Sequence, residues 1–353
     1  MKSSGTAIGF MGRQASRLEN EILRVTVLHG GGHIAEVFDK RAGVSPLWIP
    51  HWPSMEPSEF EKKRPAQYGS GDDAKLLAGI MGHNLCLDLF GGPSPEESAA
   101  GLTVHGEAAV NPYDVTESQG ELLTRLTLPL AQLGFSRSIQ LHGEHIRIRE
   151  SVENLIAMDR PVAWTQHVTL GLPFLDPAST LFNASMTRSV AFNTDPGFDA
   201  YLTPGIEFAW PMAPRSNGGF ADLRQMKSTA PASGFTTHLA DPQCEHANFT
   251  AFSQQFRLAF GYVWKRADFP WLGIWEENCS RKGSPWDGRT VTRGMEFGVS
   301  PFPETRMAMI ERNRLMDTPT YKWLPAHGRL EVEYWISSKI ADAIPESLHW
   351  PKI

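Results

Sequence analysis

Three stretches of this chain place titratable residues next to glycine in otherwise apolar, strand-like surroundings. The first runs from Gly82, His83 and Asn84 to Thr103, Val104, His105, Gly106 and Glu107. The second is Trp164 to Gly171, with Gln166 and His167 near its middle, and the third holds Gly294, Met295, Glu296 and Phe297. A histidine or carboxyl set in such a run is expected to be partly buried on folding. Burial costs free energy unless the group is paired, and it moves the pKa. Each of these residues taken singly reads more readily as a satisfied core side chain; together they invite comparison with known families.

Other chemistries lack their motifs. His29 is followed by Gly30, Gly31 and Gly32, as in the oxyanion loop of some esterases, but no Gly-x-Ser-x-Gly elbow occurs. There is no Walker A loop and no strand-linked GxGxxG. The pairs His29 with His33 and His142 with His145 have no third ligand nearby in sequence, so we assign no metal site and no cofactor. The net charge of −6 gives no broad basic surface for nucleic acid or an anionic membrane.

The elements that position these residues follow a period of two. Leu23, Val25 and Val27 alternate with Arg24 and Thr26, and the pattern returns from Ile34 to Phe38 after a glycine turn. Ile139 and Leu141 lead into a turn at Gly143, from which Ile146 and Ile148 return as a hairpin. Leu330, Val332, Tyr334 and Ile336 mark a late strand. Helical signals are short: Ser94 to Ala100 carries an N-cap, a proline and acidic residues in its first turn. Pro57 to Lys63 and Lys339 to Leu348 are two further helix candidates. No βαβ alternation, internal repeat or linker appears. We therefore expect an all-β chain, a large antiparallel β-sandwich with a few short helices, forming one domain over residues 1–353.

Cys86, Cys244 and Cys279 are odd in number and widely spaced, which suits a reduced, cytoplasmic chain. The N-terminal segment lacks the apolar core and cleavage site of an export leader, and no run is long enough to span a membrane. The 11 tryptophans fill core volume, and some of them can stack on the apolar faces of sugar rings.

In order along the chain, the motifs resemble those of the galactose mutarotase-like superfamily, the aldose 1-epimerases. Leu18 to Val27 and the turn into Ile34 resemble that family's first strands. His105-Gly106 resembles its first histidine motif, Gln166-His167 its second, and Phe269 to Trp275 its strand into the active site. Met295-Glu296 resembles the segment with its general base, and Trp323 to Gly328 its late turn. The resemblance implies the family's supersandwich and interconversion of α and β anomers of a sugar, with His167 as general acid and Glu296 as general base. It further implies that His105 hydrogen-bonds the ring or the opening aldehyde oxygen, that Trp275 offers a stacking face and that Asp222 grips sugar hydroxyls. His83 and Asn84 stand where the family has Asn-Arg-Ile and are assigned to substrate binding. Val168 to Leu170 replace the family's Tyr-Phe-Asn-Leu, which leaves the sugar open.

The expected partner is a small-molecule sugar, with neither nucleic acid nor membrane, and the chain is expected as a monomer or homodimer. A bell-shaped pH profile is expected, limited by the carboxylate at low pH and the histidine at high pH. Two rival readings are a glycoside hydrolase or lyase using Glu276 or Glu277 with Glu296, and a sugar-binding module without catalysis. A phosphosugar would call on clustered cations, for which Lys62, Lys63 and Arg64 are candidates.

Overall fold

The computed structural model describes residues 8–192 and 199–352. The segment read above against an export leader begins in residues 1–7, outside that range. Among the described residues, two large antiparallel sheets dominate. The larger has eleven strands in the order Ile8–Phe10, Arg13–Glu19, Leu23–Leu28, Ile34–Asp39, His83–Leu87, Trp164–Gly171, Val291–Gly298, Trp271–Asn278, Ala232–Ala240, Met186–Ala191, Glu207–Ala209. The smaller has eight: Leu181–Ala184, His246–Ser253, Leu258–Lys265, Arg329–Ile340, His145–Asn154, Leu133–His142, Glu121–Leu128, Asp114–Ser118.

The sheets bury a common core that includes Val25, Leu85, Val168, Met295 and Phe297 from one and Ile139, Ile148, Phe260 and Tyr334 from the other. The expected antiparallel sandwich is thus the observed architecture. The alternating segments become Leu23–Leu28, Ile34–Asp39 and the hairpin that pairs His142 with His145 around Gly143.

The helix at Ser94 forms over Pro95–Ala99 with a reciprocal capping box, Ser94 to Glu97 and back, and Pro57–Lys63 is helical as expected. The candidate helix at 339–348 does not form. The last long strand keeps pairing through Ile340, opposite Leu258, and the chain beyond it is irregular around Pro345. Ladder hydrogen bonds hold the first residues extended, and proline removes a donor from the rest.

The middle strands of the larger sheet are covered on both faces. Trp164–Gly171 and His83–Leu87 are buried at every position. One face packs into the sandwich. The other is covered by a long excursion between Ile34–Asp39 and His83–Leu87, the loop before Asp114 and the loop between Asn278 and Val291. A second apolar cluster, including Trp48, Trp52, Tyr68, Leu76, Leu77 and Trp286, roofs this outer face. No described helix is long and apolar enough to cross a membrane.

Candidate active site

Strand alternation sorts the chemistry-bearing residues between the two faces of one sheet. In register, His167 lies opposite Asn84 on one side and Glu296 on the other, and Glu296 lies opposite Gly273. These residues share the outer face. Gln166, Phe297 and Leu272 form the neighbouring row, which faces the core.

A cavity of about 210 Å³ opens above the outer face and is lined by His105, His167, Trp275, Arg281, Glu296 and Asp73 among mainly apolar neighbours. The structure thus brings together four of the residues singled out in the sequence: His105, His167, Glu296 and Trp275. His167 and Glu296 are 5% and 3% exposed, so both groups are largely withdrawn from solvent. Nε2 of His167 lies 3.2 Å from Oε1 of Glu296, while Nδ1 is 3.0 Å from the Thr169 hydroxyl. The approach to Glu296 is close without being an aligned hydrogen bond, and Oε1 has no hydrogen-bond partner. Gly294 leaves room for this carboxyl, because a Cβ there would sit 2.3 Å from Oε1.

His105 comes from a turn rather than from the strand its surroundings suggested. Its φ is +68°, uncommon for a side chain other than glycine. Gly106, at φ +79°, brings the backbone against the Leu87 carbonyl, where a Cβ would lie 2.4 Å from the oxygen. The His105 ring is 4.9 Å from that of His167. Its Nδ1 lies 2.6 Å from the Phe90 carbonyl, which only accepts, so Nδ1 carries the hydrogen and Nε2 is an acceptor. In this neutral tautomer Nε2 can accept a hydrogen bond but has no hydrogen to donate to a ring or aldehyde oxygen.

Burial dominates the electrostatics. It pushes His105 down to about 4. Burial, with His105 adding to it, holds His167 well below 6.5 and keeps its imidazole neutral. Burial raises Glu296 well above 4.5, favouring the protonated carboxyl. Burial thus favours the uncharged form of both groups, the imidazole without its second proton and the carboxyl with its one.

Three assignments change. His83 lies on the core face, fully buried, with Nε2 2.9 Å from Gln166 Oε1 and Nδ1 3.2 Å from the Tyr262 hydroxyl. It cannot reach the cavity through its own sheet. Asn84 has the outer orientation but is fully buried and does not line the cavity, and its Nδ2 has no partner. Asp222 is gripped by Arg224 at 2.6 and 3.0 Å and lines a different depression with Tyr201 and Lys227.

Of the carboxylates a hydrolase would need, Glu276 points to the other face, where Tyr201 and the Lys227 amide donate to it at 3.2 and 3.0 Å. Glu277 is held by the amides of Ser280 and Arg281 at 2.6 and 3.0 Å. Sequence reasoning missed Asp73 and Arg281. The one signal for Arg281 is its place in the loop that joins the Trp275 strand to the Glu296 strand.

No protein-family model matches the chain, and no curated protein matches it. Solved structures do. A Klebsiella pneumoniae protein provisionally assigned as an aldose 1-epimerase is 14% identical over 95% of this chain and 82% of its own, with a TM-score of 0.64. A galactose mutarotase-like protein from Clostridium acetobutylicum is 14% identical over 95% and 98%, with a TM-score of 0.62. A galactose mutarotase related enzyme from Lactobacillus acidophilus is 12% identical over 94% and 99%, with a TM-score of 0.59. Identity at this level speaks to architecture and leaves the activity to the site. This chain has the fold of the galactose mutarotase-like proteins.

Proposed function

We propose that this protein is an aldose 1-epimerase-like enzyme that interconverts the α and β anomers of a sugar through His167 and Glu296. The observation that carries this reading is the 3.2 Å approach of two buried, oppositely shifted groups on neighbouring strands at the base of one cavity. Perturbed titratable groups converging in a concave site are the mark of proton-transfer chemistry.

The reaction needs one acid and one base. Passing the proton of the Glu296 carboxyl to Nε2 of His167 generates both. The imidazolium then protonates the ring oxygen while the carboxylate takes the anomeric hydroxyl proton. The C1–O5 bond breaks and the open-chain aldehyde forms. Rotation about C1–C2 presents the other carbonyl face. Closure returns one proton from the C5 hydroxyl to His167 and delivers the other from Glu296 to the new anomeric oxygen. Each positioned proton transfer contributes roughly 10²–10⁴ in rate. His105 accepts a sugar hydroxyl at Nε2, and Trp275, 6.0 Å from the His167 ring, offers an apolar face to the pyranose.

The reading is tested by NMR saturation transfer between the two C1 protons of free hexoses and pentoses. Catalysed exchange that persists in chelator is expected, with no new reducing ends from oligosaccharides. Release of reducing ends without anomer exchange would make the protein a hydrolase instead.

A further inference from the structure

The cavity wall beside Trp275 has its own chemistry. Arg281 lies with its guanidinium carbon 4.6 Å from the Trp286 ring centre and 5.4 Å from that of Trp275. Those two rings meet edge to face at 6.0 Å. Glu277 accepts from the Arg281 amide at 3.0 Å, and its other oxygen lies 3.5 Å from Nε, so the loop bearing Arg281 is tied to the end of the Trp275 strand. Asp73, just before helix Ala74–Gly79, lines the same cavity and is coupled electrostatically to Arg281. Among the described residues lining the cavity, Arg281 is the one lysine or arginine; Leu76, Ile80 and Val104 supply apolar wall.

A guanidinium beside a carboxylate is complementary to two neighbouring hydroxyls, one accepting an N–H and one donating to oxygen. The aromatic faces beside them suit the C–H face of a ring. A phosphate is poorly matched, because Arg281 is already opposed by Glu277 and Asp73. Lys62, Lys63 and Arg64, the cations suggested for a phosphosugar, are exposed on or just after helix Pro57–Lys63 and pair with Glu59 and Glu61.

We propose that Arg281 and Asp73 form a specificity subsite for the hydroxyls of a neutral sugar remote from its anomeric carbon, so that the enzyme takes unphosphorylated sugars. This rests on the anomer-exchange reading for the reacting end, but it makes a claim about binding that stands or falls separately.

The test combines ligand-observed saturation-transfer difference NMR with exchange kinetics. The probes are D-glucose, D-galactose, D-xylose, the two hexose 6-phosphates and singly deoxygenated glucoses. The parent hexoses are expected to bind at least about tenfold more tightly than their 6-phosphates. In Arg281→Gln, KM for the best neutral sugar should rise about 10–100-fold, the range for losing a charge-assisted hydrogen bond, with kcat within about threefold. The deoxy-sugar lacking the gripped hydroxyl should show no such rise. Arg281→Lys, which keeps the charge but not the planar fork, provides a milder variant and should give an intermediate KM. Melting temperature controls for folding. Sugar binding that depends on Arg281 without catalysed exchange would sink the epimerase reading and leave the subsite standing. Equal or tighter binding of the 6-phosphates, an unchanged KM in folded Arg281→Gln and Arg281→Lys, or binding of no probe sugar would each overturn the subsite.

Discussion

Gln166 and His167 are neighbours on one strand, both buried, yet they belong to two different polar clusters. Gln166 faces the sandwich. There Glu150 takes Arg137 Nε at 2.7 Å, Trp164 Nε1 at 3.1 Å and Gln166 Nε2 at 2.6 Å, with the Tyr334 hydroxyl at 2.8 Å. Gln166 Oε1 in turn meets His83. His167 faces the cavity, where Glu296 Oε1 is buried without a hydrogen-bond partner, as is Nδ2 of Asn84 opposite His167 on the neighbouring strand. Buried polar groups are normally satisfied because leaving them unpaired costs free energy. The first cluster obeys that rule and crosses between the sheets. The second breaks it at a concave surface, where burial tunes proton affinity. Between these two clusters the satisfaction of hydrogen bonds, rather than burial, is what differs.

The largest effect that could break this comparison is on stability. Arg137 and Glu150 form an ion pair with neither side chain exposed. Arg137→Ala or Glu150→Ala leaves one charge buried and should cost about 3–5 kcal/mol in urea unfolding. The joint replacement Arg137→Met with Glu150→Leu should cost less than either single change. A larger loss in the double variant would mean that the network contributes more than mutual neutralisation.

Next in size comes His167→Gln. Anomer exchange should fall by roughly 10²–10⁴ with the melting point nearly unchanged. Combined with Glu296→Gln, the loss should be well short of the product of the two single losses, since both residues serve one transition state. Multiplicative losses would place them in separate steps.

The smallest effect sharpens the division. His83→Gln should lower stability by about 1–3 kcal/mol while leaving kcat intact, since His83 lies behind the sheet. Burial holds its folded pKa well below 6.5. Above 6.5 neither state binds its proton; as pH falls below that value, the unfolded chain takes up a proton the folded one refuses. His83 therefore removes stability on acidification, by about 1.4 kcal/mol per pH unit. His83→Gln should flatten the wild-type decline by that slope. Parallel declines in the two proteins would show that His83 is protonated in the fold.

The same division explains what was legible in the sequence. Leu23 to Val27, Ile34 to Phe38 and the hairpin about Gly143 alternate and could be read as strands. Ser94 with Glu97 announced its helix by a local capping pattern. Trp164–Gly171 and Val291–Gly298 show no clean alternation, because both faces are covered. They were found through their polar residues, not their period. His83 and His105 look alike in sequence, and only strand parity and a positive-φ turn send one into the core and the other into the cavity. Asp73 and Arg281 lie in loops, where no periodicity points at a site, and sheet order, which brings Glu296 beside His167, is set by pairings distant in sequence.

The central claim is tested most directly by Glu296→Gln, followed by C1 saturation-transfer NMR on a sugar the wild type exchanges. The amide matches the carboxyl in shape but cannot take a proton at neutral pH. Catalysed exchange should drop by roughly 10²–10⁴, with the fold and sugar binding retained. Wild-type exchange rates in a folded Glu296→Gln protein would contradict the account.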